Sequence, residues 1–116
     1  MKGFFKYGNP IINLVLEDRK IEFLLDTGFN GNLMVASKLI KQLKLEKVGI
    51  SQYISAAGEI ESTDVFKGIL RFFDKEIEIT VLSTEADFSL VGMELLHNYK
   101  IVIERSKDKV EISESI

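Results

Sequence analysis

Apolar and polar residues alternate over much of this chain, and the alternation predicts β-strands. Two apolar-rich segments, residues 11–17 and 21–25, are separated by the polar tripeptide Asp18-Arg19-Lys20. Segments of this length and spacing are typical of two strands joined in a hairpin. The second segment runs directly into Asp26, which opens a loop through residue 32 that contains two Gly and two Asn residues. Because Gly and Asn tolerate the backbone angles of tight loops, we expect an unusual loop at this point.

Strand-like segments recur along the rest of the chain. They lie at residues 33–35, 50–55, 60–65 with a continuation to 73, 76–82, 89–91, 101–104 and 110–112. Two short helices are predicted, over residues 38–43 with Ser37 as a cap and over residues 93–98. About eight short strands and two short helices predict an all-β fold that is closed or folded on itself.

Composition narrows the chemistry that this chain can carry. The 116 residues include no Cys and a single His, His97. These counts exclude a disulfide framework, a Cys-ligated zinc, a thiol nucleophile and an iron–sulfur cluster, and we expect no metal and no cofactor. The net charge of −3 argues against a nucleic-acid partner, since such a partner requires a basic face.

Length and hydropathy bear on domain organisation and location. A chain of 116 residues suits one domain, residues 1–116, and no linker-like tract divides it. No apolar run reaches the length of a membrane span, and charges occur too early in residues 1–20 for a signal peptide. We therefore expect a single cytoplasmic domain with no membrane partner.

The most informative stretch is Phe23-Leu24-Leu25-Asp26-Thr27-Gly28. An Asp that follows three large apolar residues at a strand end loses hydration, which makes its charged form less favourable. The alternative is that Asp26 only begins a turn, since Asp-x-Gly is common in turns. The tripeptide alone does not decide between a functional carboxylate and a turn residue.

A second motif, later in the chain, adds weight to the functional interpretation. It consists of the apolar pair Leu90-Val91, followed by Gly92 and then by the pair Leu95-Leu96. Together with the apolar strand that ends in Asp26-Thr27-Gly28, this order of features resembles the retropepsin-like aspartic proteases, the single-domain relatives of pepsin. The resemblance extends from residue 11 to residue 103. It implies a closed acid-protease barrel with a β-hairpin flap over residues 50–65.

The resemblance also implies a homodimeric aspartic endopeptidase in which Asp26 of each subunit forms the catalytic pair. Two carboxylates in contact share one proton because their repulsion splits their titration into separate steps, and one Asp-Thr-Gly supplies one carboxylate per chain. In this family pattern, Thr27 braces the paired loops and Gly28 lets the backbone approach a peptide or protein substrate. Further substrate contacts are expected in the loop and at the flap tip, from Phe29, Asn30, Ala57 and Gly58.

Two positions depart from the retroviral pattern of this family. Retroviral members carry an Asp and an Arg that pair with each other at the positions of Asn30 and Met93, and both are absent here. Two alternatives to an enzyme stay open: a catalytically inactive module that binds peptides, and a structural subunit with a large exposed apolar patch away from Asp26. Gly58 is equally consistent with ordinary turn chemistry, and Asp87 is the next carboxylate to test if Asp26 is inert.

Overall fold

Strands account for most of the computed structural model, which describes residues 1–55 and 57–115. The strands of this described part are β1 (Phe4–Lys6), β2 (Asn9–Leu16), β3 (Arg19–Leu25), β4 (Leu33–Ala36), β5 (Glu46–Ile54), β6 (Ile60–Phe72), β7 (Lys75–Thr84), β8 (Ser89–Val91), β9 (Tyr99–Glu104) and β10 (Lys109–Glu114). Within the same residues, one α-helix, α1 (Ser37–Leu43), joins β4 to β5. The all-β class predicted from the sequence is confirmed.

Eight of these strands form one sheet, in the order β1-β2-β3-β8-β4-β7-β6-β5. The sheet turns back on itself because β2 also pairs with β6, through Val15 opposite Arg71 and Leu16 opposite Leu70. In the described part of the chain, β9 and β10 form a separate two-stranded sheet. The central pairing of β3 with β8 is parallel, so the two motifs singled out in the sequence lie on adjacent strands.

The core follows from the alternation that predicted the strands. In β3, Ile21, Phe23 and Leu25 are buried, whereas Lys20 before them and Glu22 between them are exposed. The short strand β4 is buried at all four positions, as expected for a strand covered on both faces. Leu25 thereby fixes the end of β3 in the core directly before Asp26. No helix of residues 1–55 and 57–115 has the length and apolarity required to span a membrane.

The first hairpin turn predicted from the sequence is shorter in the structure. Two adjacent residues with positive φ form the turn in each of three hairpins, namely Tyr7-Gly8, Glu17-Asp18 and Phe73-Asp74. Positive φ at both central positions matches the right-handed twist of paired strands. The predicted separator at residues 18–20 is therefore wrong in extent, since Arg19 and Lys20 already belong to β3.

One of the two predicted helices is present, and the segment of the other forms turns. Helix α1 is present, but the prediction that Ser37 caps it is wrong: Ala36 occupies the N-cap position, and the Ser37 hydroxyl donates a hydrogen bond to Glu85 at 3.4 Å. The second predicted helix, over residues 93–98, is also wrong, since this segment is a series of turns. Its internal bonds are those of separate turns, from the His97 N–H to the Glu94 carbonyl at 3.3 Å and from the Tyr99 N–H to the Leu96 carbonyl at 3.1 Å.

Candidate active site

Asp26 lies where β3 leaves the sheet. The last residues of β3 pair in parallel with β8, with Leu24 opposite Leu90 and Leu25 opposite Val91. The Asp26 N–H continues this ladder by donating to the Val91 carbonyl at 3.0 Å. The backbone of Asp26 is thus held by two central strands, while its side chain is only half-buried. A carboxylate in this position is fixed at its base and accessible at its tip.

The Asp26 carboxylate is oriented by the loop that follows it. The Gly28 N–H donates to Asp26 Oδ1 at 2.9 Å, and the Phe29 N–H donates to the Asp26 carbonyl at 3.2 Å. A Cβ atom at position 28 would lie 3.3 Å from Asp26 Oδ1, which is tight for a carbon–oxygen contact. Gly28 therefore allows the backbone to approach the carboxylate. Thr27, between them, is exposed.

The second sequence motif supports this loop from behind. The N–H groups of Gly92, Met93 and Glu94 donate to the carbonyls of residues 32, 29 and 31 at 2.9, 2.9 and 3.2 Å respectively. A side chain at Gly92 would overlap the carbonyl oxygens of Phe29 and Gly31. The close approach that these three bonds require is therefore possible only with glycine at position 92. The two motifs meet in space, as their order in the sequence suggested.

Phe29 and Asn30 have different environments. Phe29 is buried, and its ring lies so close to Gly31 and Gly92 that a Cβ atom at either glycine would overlap it. Asn30 is exposed. The loop from Phe29 to Leu33 lines a shallow cavity of about 180 Å³ together with residues 51–53 of β5. Both predicted contact residues of the loop thus border a cavity that the β5–β6 hairpin also lines.

The predicted hairpin over residues 50–65 is present as β5 and β6, and its turn is well defined on both sides of Ala56, which lies outside the described residues. Gly58 has a φ of 80°, and its N–H donates to the Ser55 carbonyl at 2.9 Å. The Ser55 N–H in turn donates to the Glu59 carbonyl at 2.9 Å. Ala57 and Gly58 are exposed at the tip, and neither lines the cavity beside Phe29.

A larger cavity, which was not predicted from the sequence, is a groove of about 530 Å³ along the outer face of β3. Its floor includes Lys20, Glu22 and Leu24, the residues of β3 that alternate with the buried ones. Leu24 lies two residues before Asp26, and Phe88, which is 57% exposed, forms part of the wall. The alternation of apolar and polar residues in β3 indicated which of its side chains face outward and form the floor of the groove. Nothing in the sequence indicated that Phe88 lies beside these side chains. Asp26 itself lines neither this groove nor the smaller cavity.

Several charged groups line the groove. Lys6 and Glu22 form an ion pair at 2.9 Å, and the hydrogen bond to Glu22 raises the pKa of Lys6. Arg19 donates to the Gln42 side-chain carbonyl at 2.8 Å, so its charge is not neutralised by that contact. Asp87, next to Phe88, also lines the groove, so charged and apolar side chains border it together.

Three solved structures are similar to this chain in fold. A retropepsin-like aspartic protease from Rickettsia conorii is similar at a TM-score of 0.68 and 25% sequence identity, over 95% of this chain and 86% of that protein. The EIAV protease in complex with the inhibitor HBY-793 has a TM-score of 0.63 and 16% identity, with 80% and 92% covered. The protease of Simian Foamy Virus (mac) has a TM-score of 0.57 and 14% identity, with 75% and 91% covered. The chain has a retropepsin-like fold. No protein-family model and no curated protein matches it.

This retropepsin-like chain joins its two motif segments without the retroviral ion pair. Asn30 and Met93 occupy the positions of that pair, and neither side chain carries a charge. The Met93 N–H instead bonds the Phe29 carbonyl, one of three main-chain bonds between the segments. These three main-chain hydrogen bonds hold the Asp26 loop in place.

Proposed function

We propose that the protein is a homodimeric aspartic endopeptidase that hydrolyses peptide bonds with a water activated by two Asp26 carboxylates. One observation carries this proposal. Asp26 stands at the end of β3 in a retropepsin-like fold, with its Oδ1 held by the Gly28 N–H and its loop held by the Gly92 segment. An accessible, oriented carboxylate at this point of this fold is what the reaction requires.

The chemistry needs two carboxylates, because one cannot hold a proton and accept one at the same moment. In the proposed dimer, the ionised Asp26 takes a proton from water while the resulting hydroxide adds to the scissile carbonyl carbon. The protonated Asp26 of the other subunit donates to the carbonyl oxygen. A proton then passes to the amide nitrogen as the C–N bond breaks, which releases an amine and a carboxylic acid. Repulsion between the two carboxylates keeps one of them protonated.

The exposure of the loop supports this pairing. Thr27 and Gly28 are exposed in the single chain, although Leu25 at the end of the preceding strand is buried. Thr27 would donate its hydroxyl hydrogen bond across the dimer to the facing loop. Gly28, with no side chain, would leave room for the substrate backbone beside Asp26 Oδ1.

The substrate that fits this site is an extended peptide. The groove along β3 would take an apolar side chain of the peptide against Phe88 and against Leu24, which lies two residues before Asp26. Phe29 and Asn30 would border the adjacent subsite, which β5 also lines. The backbone at Ala57 and Gly58 would close over the peptide as part of a flap and pair with it as an added strand. A cytoplasmic location, one domain over residues 1–116 and the lack of nucleic-acid or membrane partners stay predictions from the sequence.

A catalytically inactive peptide-binding module is the second candidate. It is favoured by the position of the cavities, since Asp26 lines neither the groove nor the smaller cavity. Such a module would hold the same peptides in the same groove and would release them uncleaved.

Replacing the carboxylate separates these two candidates. Asp26→Asn keeps the size of the side chain and its bond to Gly28, and general acid–base catalysis is worth about 10²–10⁴-fold in rate. We therefore expect Asp26→Asn to lower the rate at which unfolded protein substrates are cleaved at mildly acidic pH by about that factor. Mass spectrometry of the products measures this rate. Asp74→Asn, in the β6–β7 turn at a φ of 62°, is the matched control, because Asn also tolerates that backbone. Equal cleavage rates for Asp26→Asn and wild type would exclude Asp26 as the catalytic group. If both proteins bind peptide and neither cleaves it, the result would favour the peptide-binding module.

A further inference from the structure

Asn30 and Gly31 form the only Asn-Gly pair of the sequence, and they lie in the loop that follows Asp26. In such a pair, the main-chain nitrogen of the glycine can attack the side-chain carbonyl carbon of the asparagine. Glycine favours this attack because it has no Cβ atom to hinder the approach and its backbone adopts a wide range of angles. In a folded protein, the reaction further requires that the asparagine amide is accessible and that the glycine N–H is not already bonded.

Both requirements are met at Asn30. Its side chain is exposed. The Gly31 N–H donates no hydrogen bond within residues 1–55 and 57–115, whereas the Gly31 carbonyl accepts one from the Glu94 N–H at 3.2 Å. The reacting nitrogen is therefore not engaged by the fold, and water can reach the amide that this nitrogen would attack.

The other asparagines of the chain lack this combination. Asn9 precedes a proline, whose nitrogen carries no hydrogen. Asn13 and Asn32 precede leucines that belong to β2 and β4. Asn98 is exposed, but the residue after it is Tyr99, whose N–H already donates to a main-chain carbonyl at 3.1 Å. The reaction is therefore expected at position 30 and not at these positions.

Packing of the loop explains why a glycine follows Asn30. A Cβ atom at Gly31 would lie 2.6 Å from the ring of Phe29, which is itself buried. A larger residue at position 31 would hinder the attack on Asn30, but the Phe29 ring leaves no room for one. The Asn-Gly pair that permits the reaction is thus a consequence of how this loop packs.

We propose that Asn30 is a site of spontaneous deamidation in the folded protein. The Gly31 nitrogen gives up its proton and bonds to Cγ of Asn30, and the side-chain nitrogen leaves as ammonia. The product is a succinimide ring, which water then opens. Addition of water at the Cγ carbonyl restores the main chain and gives aspartate, whereas addition at the main-chain carbonyl gives isoaspartate. For either product, the reaction consumes a water molecule and releases an ammonia molecule, with no change of oxidation state.

The two products affect the Asp26 loop differently. In isoaspartate, the main chain runs through the former side chain and gains a methylene group between the carbonyls of Phe29 and Gly31. These carbonyls accept hydrogen bonds from the N–H groups of Met93 and Glu94 at 2.9 and 3.2 Å. An added main-chain atom changes the spacing of the two acceptors, so both bonds cannot keep this geometry. Isoaspartate therefore releases the Asp26 loop from the segment behind it, whereas aspartate leaves the main chain unchanged.

Mass spectrometry of the peptide that contains residue 30 tests the modification. Wild type is incubated at mildly alkaline pH, in native buffer and in parallel in unfolding concentrations of urea. We expect residue 30 to gain about 1 Da in both samples as ammonia is released. Asn30→Gln should react at least about tenfold more slowly, because a longer side chain must close a larger ring. The control Asn98→Gln, at another exposed asparagine, should leave the rate at Asn30 unchanged.

Two results would overturn the modification site. Deamidation in urea without deamidation in native buffer would show that the folded loop protects Asn30. An Asn30 amide that survives in both samples would show that the pair is unreactive. Neither readout involves cleavage of a peptide, so the proposed endopeptidase and the modification of Asn30 stand or fall separately.

Hydrogen exchange tests the effect of isoaspartate on the loop. The aged protein is separated by chromatography into its isoaspartate and aspartate forms, and Asn30→Asp serves as the reference for the aspartate form. We expect the Met93 and Glu94 N–H groups to exchange at least about tenfold faster in the isoaspartate form than in fresh protein. Asn30→Asp should exchange like fresh protein at both positions. Equal exchange in the isoaspartate form and in Asn30→Asp would overturn the release of the loop.

Discussion

At the scale of single residues, two glycines determine where the Asp26 carboxylate lies. Gly28 brings its N–H to Asp26 Oδ1, and Gly92 lets the segment behind the loop approach the carbonyls of Phe29 and Gly31. Asp-Thr-Gly and the later Gly92 were both recognisable in the sequence. Their contact was not derivable from either motif alone, because it depends on the parallel pairing of β3 with β8 over a long separation in sequence.

A side chain at position 92 should therefore disturb the loop. We expect Gly92→Ala to lower the free energy of unfolding by about 1–3 kcal/mol or more in urea titrations, because the new Cβ overlaps two carbonyl oxygens. Gly49→Ala is the matched control: position 49 has no atom within 4 Å of a new Cβ, so stability should change little or rise slightly. Equal urea midpoints for the two variants would contradict the close packing at Gly92.

Phe88 provides a residue-scale test of the groove. It is exposed, so Phe88→Ala should leave the free energy of unfolding nearly unchanged. Loss of its apolar contact with the substrate is worth about 1–2 kcal/mol, so kcat/KM for a substrate with a large apolar residue should fall by roughly 5–30-fold. Ile69→Ala, at an exposed position of β6 outside the groove, serves as the control. A loss of kcat/KM as large in the control as in Phe88→Ala would argue against substrate binding in the groove.

At the scale of elements, alternation predicted the strands well where one face is buried and poorly where tertiary contacts decide. The buried residues of β3 recur at every second position, and the sequence showed them. The three-residue strand β1 was not predicted, because Phe4-Phe5-Lys6 is too short to show alternation. The apolar pair Leu95-Leu96 suggested a helix, whereas hydrogen bonds to the Asp26 loop hold that segment in turns.

The β5–β6 hairpin carries a hydrogen bond that responds to pH. The Tyr53 hydroxyl donates to Glu61 at 2.8 Å, and this bond to a carboxylate raises the pKa of Tyr53. A raised pKa means that the folded hairpin favours the protonated phenol. Its stabilisation is complete below the ordinary tyrosine pKa and is lost as pH rises through the raised value. We expect Glu61→Gln to move the pKa of Tyr53 back toward its ordinary value in an NMR titration, with Tyr7 as an internal reference. An unchanged Tyr53 titration would show that the bond does not form in solution.

At the scale of the whole molecule, the exposed apolar residues bear on the three functions considered from the sequence. Ile50, Ile54 and Ile60 are 70%, 60% and 70% exposed, and Ile54 lies directly opposite Ile60 in the β5–β6 ladder. A structural subunit would use such a patch for assembly. In the proposed enzyme the same residues belong to the hairpin that closes over the substrate. The sequence predicted the retropepsin-like fold from ordered motifs, but it did not predict the pairing of β2 with β6 that turns the sheet back on itself, because that pairing joins residues far apart in the chain.

The central claim is that one active site needs two Asp26 carboxylates, one from each chain. The most direct measurement is the cleavage rate of wild type after joint unfolding and refolding with a large excess of Asp26→Asn, at saturating substrate. With roughly nine parts of variant to one of wild type, random pairing leaves few dimers with two carboxylates, so cleavage per wild-type chain should fall about tenfold. An unchanged rate per wild-type chain would contradict the account, because it would mean that each Asp26 acts without a second.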